Sequence, residues 1–225
     1  MKYVSLLSFS ILSLLFSCAP VRFVEPLQKK QLAVGGNFGG PIISQGNIVT
    51  PLPLTAVEVG YGLDTNLTIH GGLHTTAMLF GNFQMDAGLT YKVLHQNKYI
   101  PNISVTPGAN FIYDFDDNIS KLWPKLDVNA YWNYGKRNSY FYFGLNNIFE
   151  LSKTMAHDQP QKQRWIFSPQ IGHVLKTKQE KWQFTAEIKF LALNQDNSYA
   201  FLPYTPITGS YGATGLYLGL RYIIK

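Results

Sequence analysis

The stretch LTIHGGLHTTAML, residues 67–79, decides the class of fold. If this stretch were a helix, His70 and His74 would lie on one face and could bind one metal ion. Gly71 and Gly72, together with the β-branched threonines and isoleucine around them, weigh against a helix. Apolar and polar residues alternate instead, which is the period of a strand. In a strand the two histidines stand about 13 Å apart, so they cannot share a metal ion, and no metal or cofactor is predicted.

The same alternation recurs along the rest of the chain, whereas convincing helical periodicity does not. The sequence therefore predicts an all-β protein with about ten strands. Their approximate bounds are 31–39, 54–63, 67–79, 83–94, 102–115, 124–134, 139–149, 164–175, 182–192 and 212–224.

Each predicted strand has one apolar face, free of Asp, Glu, Lys and Arg, and one polar face. A soluble barrel of lipocalin type would turn the apolar face inward, whereas a membrane barrel would turn it outward. The polar face is rich in glycine, which suits a crowded interior better than open solvent. Aromatic residues concentrate near several strand ends, and short connections alternate with longer ones. These features favour a closed antiparallel transmembrane β-barrel with up-and-down order. The tight turn 80–82 is an exception, because an outer connection is expected there.

Composition weighs against a nucleic-acid partner. Only 14% of the residues are charged, and the net charge of +6 is scattered, without a run of Lys or Arg.

The N-terminus has the pattern of an export signal. A lysine at position 2 precedes the short apolar stretch 3–16. Ser17 and Cys18 follow at once, so the stretch ends in Leu15-Phe16-Ser17-Cys18. This is similar to the bacterial lipoprotein signal, which implies that Cys18 is the lipidated first residue. The predicted organisation is a signal peptide (1–17), a lipidated linker (18–30) and a barrel (31–225). An ordinary secretory signal is the alternative. Since Cys18 is the only cysteine, no disulfide can form within the chain.

The last strand, GLYLGLRYIIK at 215–225, resembles the C-terminal insertion signal of outer-membrane barrels through Gly219, Tyr222 and Ile224. The whole mature chain thereby resembles a small bacterial outer-membrane β-barrel lipoprotein. This resemblance implies periplasmic termini and two kinds of partner: membrane lipids and the barrel-assembly machinery. It also places the loops 40–53, 150–163 and 194–211 outside the cell, where they could meet a surface partner.

Hairpin geometry predicts which polar side chains meet in the lumen. A three-residue turn at 80–82 would set His74 opposite Gly88 and Thr76 opposite Asp86. The same register would set Lys92 opposite His70. A similar turn at 64–66 would set Glu58 opposite Gly72. Glu58, His70, His74 and Asp86 would then form one cluster.

Two interpretations of the lumen remain open. The first is a polar network of paired side chains, comprising Glu58, His70, His74, Asp86, Lys92, Glu187, Lys189 and Arg221. In the second, a carboxylate beside His70 or His74 makes that histidine a general base, or His157 in an outer loop serves at the rim. The predicted function is accordingly a non-enzymatic surface protein or narrow conduit. The alternatives are an outer-membrane enzyme acting on lipids or peptides, and a soluble lipid-binding lipoprotein.

Overall fold

The computed structural model describes residues 21–46, 48–154, 160–198, 200 and 202–224. Its strands are β1 (Leu32–Gln45), β2 (Ile48–Pro51), β3 (Thr55–Asp64), β4 (Leu67–Leu73), β5 (Asn82–Leu94), β6 (Asn102–Asp114), β7 (Ile119–Tyr134), β8 (Ser139–Phe149), β9 (Trp165–Lys176), β10 (Trp182–Asp196) and β11 (Tyr211–Ile224). A single turn of helix, α1, spans Thr75–Leu79.

The strands form one closed antiparallel barrel. Each barrel strand pairs with the next along the chain, and β1 also pairs with β11, from Leu32 opposite Ile224 to Pro41 opposite Gly215. Because β2 pairs only with the outer part of β1, the closed wall has ten strands within the described residues. The predicted fold class is confirmed. Closure leaves no unpaired sheet edge, so the backbone polar groups of the wall are satisfied within the protein.

The apolar face of the wall points outward. Side chains such as Val59 and Leu218 are 47% and 61% exposed, whereas Glu58, Asp86 and Glu187 on the other face are buried. The alternative of a soluble barrel with an apolar cavity is therefore wrong for the described part of the chain.

The connection between β4 and β5 differs from the prediction. The strand predicted at 67–79 ends at Leu73, and α1 occupies residues 75–79 before Gly81 turns the chain with φ +74°. This connection is therefore eight residues long, from 74 to 81, and the exception to the alternation of short and long connections is instead the four-residue connection 115–118 at the same end of the barrel.

The two ends of the barrel are unlike. The short connections at 65–66, 95–101, 135–138 and 177–181 lie at the end where β1 begins and β11 stops, which we call the turn end. The longer connections lie at the opposite loop end, together with the four-residue connection 115–118. There β1 continues past the wall into a hairpin with β2, and the backbone N–H of Ser44 donates to the carbonyl of Pro203 over 2.9 Å. The predicted loop at 40–53 is thus mostly a hairpin. No helix in the described ranges is long and apolar enough to cross a membrane.

Candidate functional site

The barrel lumen is occupied by the chain's own N-terminal segment. We call residues 21–30 the plug segment. Phe23 is 0% exposed, and Val21, Val24 and Leu27 are buried with it. The segment enters at the turn end, where the backbone N–H of Lys30 donates to Gly62 over 2.8 Å. These are residues that the sequence assigns to a linker, and the structure places them inside the wall.

The lumen wall holds the backbone of the plug segment through fixed side chains. Arg221 donates to the carbonyl of residue 22 over 3.0 Å, and the Thr90 hydroxyl donates to the next carbonyl over 2.9 Å. The Ser104 hydroxyl donates to the carbonyl of Val24 over 2.6 Å. Further along, the backbone N–H of Leu27 donates to the Thr68 hydroxyl over 2.7 Å. Three consecutive carbonyls are thereby satisfied, as buried backbone groups must be.

Arg22 enters a cation subsite built by Glu187 and Tyr142. Its guanidinium forms a buried ion pair with Glu187, and the same carboxylate accepts a hydrogen bond from the Tyr142 hydroxyl. A buried cation needs such a partner, and the Glu187 carboxylate supplies the opposite charge inside the barrel.

Phe23 fills an aromatic subsite. Its ring lies 3.7 Å from the Arg221 guanidinium carbon, a cation–π geometry, and 5.5 Å from the His70 ring. Gly60 forms the floor, where a Cβ would lie only 2.7 Å from the ring atom Cε2. Only glycine leaves the ring enough room at this position.

Glu25 occupies an anion subsite near the turn end. It forms a partly buried ion pair with Lys176 and accepts a hydrogen bond from the Asn133 amide over 3.0 Å. A cavity of about 370 Å³ lies beside Glu25 and Gln28 at the turn end, whereas deeper in the lumen, between Val24 and Tyr140, a cavity has a volume of about 30 Å³. That is room for about one water molecule.

The predicted histidine–carboxylate cluster is only partly brought together. His74 Nε2 lies 2.6 Å from Asp86 Oδ2, and Lys125 pairs with the other oxygen of the same carboxylate. Glu58 does not join them, because it is paired with Arg221 over 2.6 Å. His70 lies against Phe23 instead of bonding a carboxylate.

The predicted register between β4 and β5 is wrong by four residues. Gly88 faces His70 instead of His74, and Asp86 faces Gly72 instead of Thr76. The cause is α1, which uses residues that the prediction assigned to the strand. Glu58 does lie opposite Gly72, as predicted. Lys92 does not lie opposite His70, since Gly88 takes that position and the Lys92 backbone N–H donates instead to the Asn66 carbonyl over 2.9 Å.

The other predicted residues are scattered. Lys189 donates to the Asn146 amide oxygen over 2.9 Å inside the barrel, and half-buried Lys92 lies 5.9 Å from the centre of the Tyr131 ring. In the C-terminal strand, Tyr222 packs on Trp182, and Ile224 is exposed. Cys18 and His157 lie outside the described residues. In the ranges that the structure describes, no three His, Cys, Asp or Glu side chains are grouped to hold a metal ion.

Sequence reasoning missed the plug segment, although a signal for it existed. Gly60, Gly62 and Gly72 lie on the inner face of neighbouring strands, and each would place a Cβ against the segment. Such glycines show that something approaches the wall closely. They do not show that the approaching group is the chain's own N-terminal segment.

Comparison with known proteins assigns no family to the chain. No protein-family model matches the chain, and no curated protein matches it in sequence. Among solved structures, the chain is similar to the NanC porin, with 11% identity over 85% of this chain and 98% of that chain and a TM-score of 0.45. It is also similar to the translocator domain of the autotransporter NalP from Neisseria meningitidis, with 8% identity over 87% and 88% and a TM-score of 0.46. The outer membrane protein OprG from Pseudomonas aeruginosa gives 12% identity over 90% and 99% and a TM-score of 0.32. Because these TM-scores are low, the conclusion that the protein is a closed up-and-down barrel rests on the strand pairing of its own structure.

Proposed function

We propose that the protein is an integral β-barrel of the bacterial outer membrane that is closed by its own N-terminal segment. The observation that carries the proposal is the outward-facing apolar band. Its exposed members include Val57, Ile69, Leu89, Phe143, Ile188 and Leu218. Burying such a band in water-free lipid is favourable, whereas leaving it in water is not.

Aromatic side chains at both ends of the wall support the membrane location. Trp182 and Tyr134 are exposed at the turn end, and Trp165 and Phe149 are exposed towards the loop end. Tyrosine and tryptophan prefer the boundary between lipid and water, where one part of the ring system is apolar and the other is wet.

The filled lumen favours a surface or structural role over that of an open pore. The plug segment leaves little free volume at the depth of Arg22 and Val24, and the Asp86 carboxylate is already paired with His74 and Lys125. Specificity would then reside at the loop end, in the hairpin of β1 and β2 and in the connection 197–210.

The turn end is proposed to face the periplasm. Exposed cations on its connections, among them Lys98, Lys136 and Arg137, would meet anionic phospholipid headgroups there. Lys176 is not available for this role, because it is buried against Glu25.

A lipid anchor on Cys18 also remains a proposal. Val21 lies against Gly72 inside the wall, and three residues of extended chain span at most about 11 Å. The intact mass of the mature protein, compared with that of Cys18→Ala, tests the anchor directly.

Gel mobility tests the barrel. We expect Cys18→Ala protein to remain in the membrane fraction and to migrate differently when boiled and unboiled in detergent, because a closed barrel resists unfolding by detergent alone. A matched variant with charges in the band, Ile188→Asp combined with Leu218→Asp, should lose membrane retention. Soluble wild-type protein without a mobility shift would overturn the proposal.

A further inference from the structure

The lumen binds the plug segment in a way that does not depend on its being part of the same chain. We propose that the lumen is a binding site for extended peptides, and that the plug segment is its ligand in cis. The preferred sequence is a cation, an aromatic residue, a small apolar residue and then an anion, as in Arg22-Phe23-Val24-Glu25, where Val24 is buried in an apolar cluster with Tyr140 and Val174.

The first argument is recognition of the ligand backbone. Arg221, Thr90 and Ser104 donate to three consecutive carbonyls, and they stand on three different strands, β11, β5 and β6. These hydrogen bonds are available to any extended peptide that follows the same path, because every residue offers the same carbonyl. They provide affinity without reference to sequence.

The second argument is charge complementarity. Glu187 pairs with a cation, Arg22, deep in the lumen. Lys176 pairs with an anion, Glu25, nearer the turn end. With the segment absent, both would lose their ion-pair partners inside the wall. Buried charges favour an occupant that pairs them. A peptide with the opposite order of charges would place like charges together at both subsites.

The third argument is shape. Gly60 and Gly72 recess the wall opposite Phe23 and Val21. The recess opposite Phe23 is completed by Arg221, whose guanidinium lies over the ring. The wall thus offers an apolar slot at the aromatic position between the two charged subsites.

The connection between ligand and barrel lies outside these subsites. Residues 28–30 are exposed, and Lys30 has a positive φ of 66° where the chain turns towards β1. A cut after Lys29 would leave the Lys30–Gly62 hydrogen bond with the barrel and the subsite ligands with the segment. The occupant can therefore be separated from the wall without removing a strand.

The experiment uses the full chain folded in detergent, with the recognition sequence of a specific protease inserted after Lys29. After cleavage, a fluorescent peptide VRFVEPLQ, with the sequence of residues 21–28, is titrated against the barrel. The control peptide VEFVRPLQ has the same composition with the two charges exchanged. We expect the native order to bind at least tenfold more tightly. Equal binding of the two peptides, or failure of the cut barrel to take up either one, overturns the proposal.

A second measurement covers the case in which cutting unfolds the barrel. A Val24→Cys variant of the uncut Cys18→Ala chain is labelled with a bulky maleimide. Excess VRFVEPLQ should displace the segment and raise the labelling rate at least threefold over VEFVRPLQ, and equal rates overturn the proposal. Both measurements are made in detergent. Their failure is therefore distinguishable from failure of the outer-membrane proposal, which depends on membrane retention.

Discussion

At the scale of single residues, glycine decides how close the interior groups come. Sequence reasoning attributes the inner-face glycines to crowding by large polar side chains, and this holds at Gly88, which faces the His70 ring, and at Gly172, which faces Tyr142. It does not hold at Gly60, where the crowding group is Phe23 of the plug segment. A glycine in a sequence reports a close approach, but the identity of the approaching atoms depends on the fold.

Gly60→Ala tests this contact. The added methyl group should collide with the Phe23 ring and lower the free energy of unfolding by about 1–3 kcal/mol, the usual range for overpacking. Phe23→Ala in the same chain should abolish the additional cost, because the ring is then gone. Denaturant unfolding in lipid vesicles measures the four-variant cycle. Gly36→Ala is the control, since its Cβ would meet only the Ala56 carbonyl at 3.4 Å. Additive effects of Gly60→Ala and Phe23→Ala would contradict the contact.

The ion pair between Arg22 and Glu187 gives a second prediction. Glu187→Gln should destabilise the folded barrel by about 3–5 kcal/mol, because it leaves the Arg22 cation buried without its partner. Adding Arg22→Gln should recover part of the loss by removing that charge. Glu180→Gln, at an exposed turn position, is the matched control and should change stability little. The same unfolding titration applies, and an unchanged midpoint for Glu187→Gln would rule out a buried pair.

At the scale of elements, the alternating pattern predicts strands well and connections poorly. The strand predicted at 67–79 continues the alternation through threonines, but α1 replaces its second half. The residues Ala77-Met78-Leu79 favour helix, yet five residues are too few to show a helical period. This one turn shifts the register by four residues, so the predicted pairing of His74 with Gly88 fails, although His74 still reaches Asp86.

The hairpin of β1 and β2 should be dispensable for the wall. The pairs of β1 with β11 end at Pro41 and those with β3 end at Phe38, so residues 44–50 close no part of the barrel. Replacing 44–50 with a short Asn-Gly turn should leave the gel mobility shift intact. It should also speed proteolysis around Pro203, whose carbonyl accepts from Ser44. Mass spectrometry of the fragments measures this effect. Loss of the mobility shift would place the hairpin within the wall after all.

At the scale of the whole molecule, the closed barrel follows from the sequence whereas the content of its lumen does not. Alternation, connection lengths and strand number are local properties, and they predict the architecture. The path of the plug segment depends on contacts with strands far away in the chain, up to Arg221 from Arg22. No periodicity in ten residues encodes such contacts.

Electrical conductance tests the closed lumen. In planar bilayers the intact protein should carry no sustained current. Arg22→Ala combined with Glu25→Ala should open the lumen for a measurable fraction of the time, because it removes two ion pairs that hold the segment. Lys29→Ala, an exposed change in the same segment, should stay closed. Steady current through the wild-type protein would contradict a filled lumen.

The seam between the first and last strands has a consequence for assembly. The wall cannot shut until β11, the final strand, meets β1. The plug segment contacts β4, β5, β6, β9, β10 and β11 from inside. We therefore expect the plug segment to serve as the core around which successive strands assemble. Insertion of the plug segment into the lumen and closure of the wall would then occur in a single step of assembly.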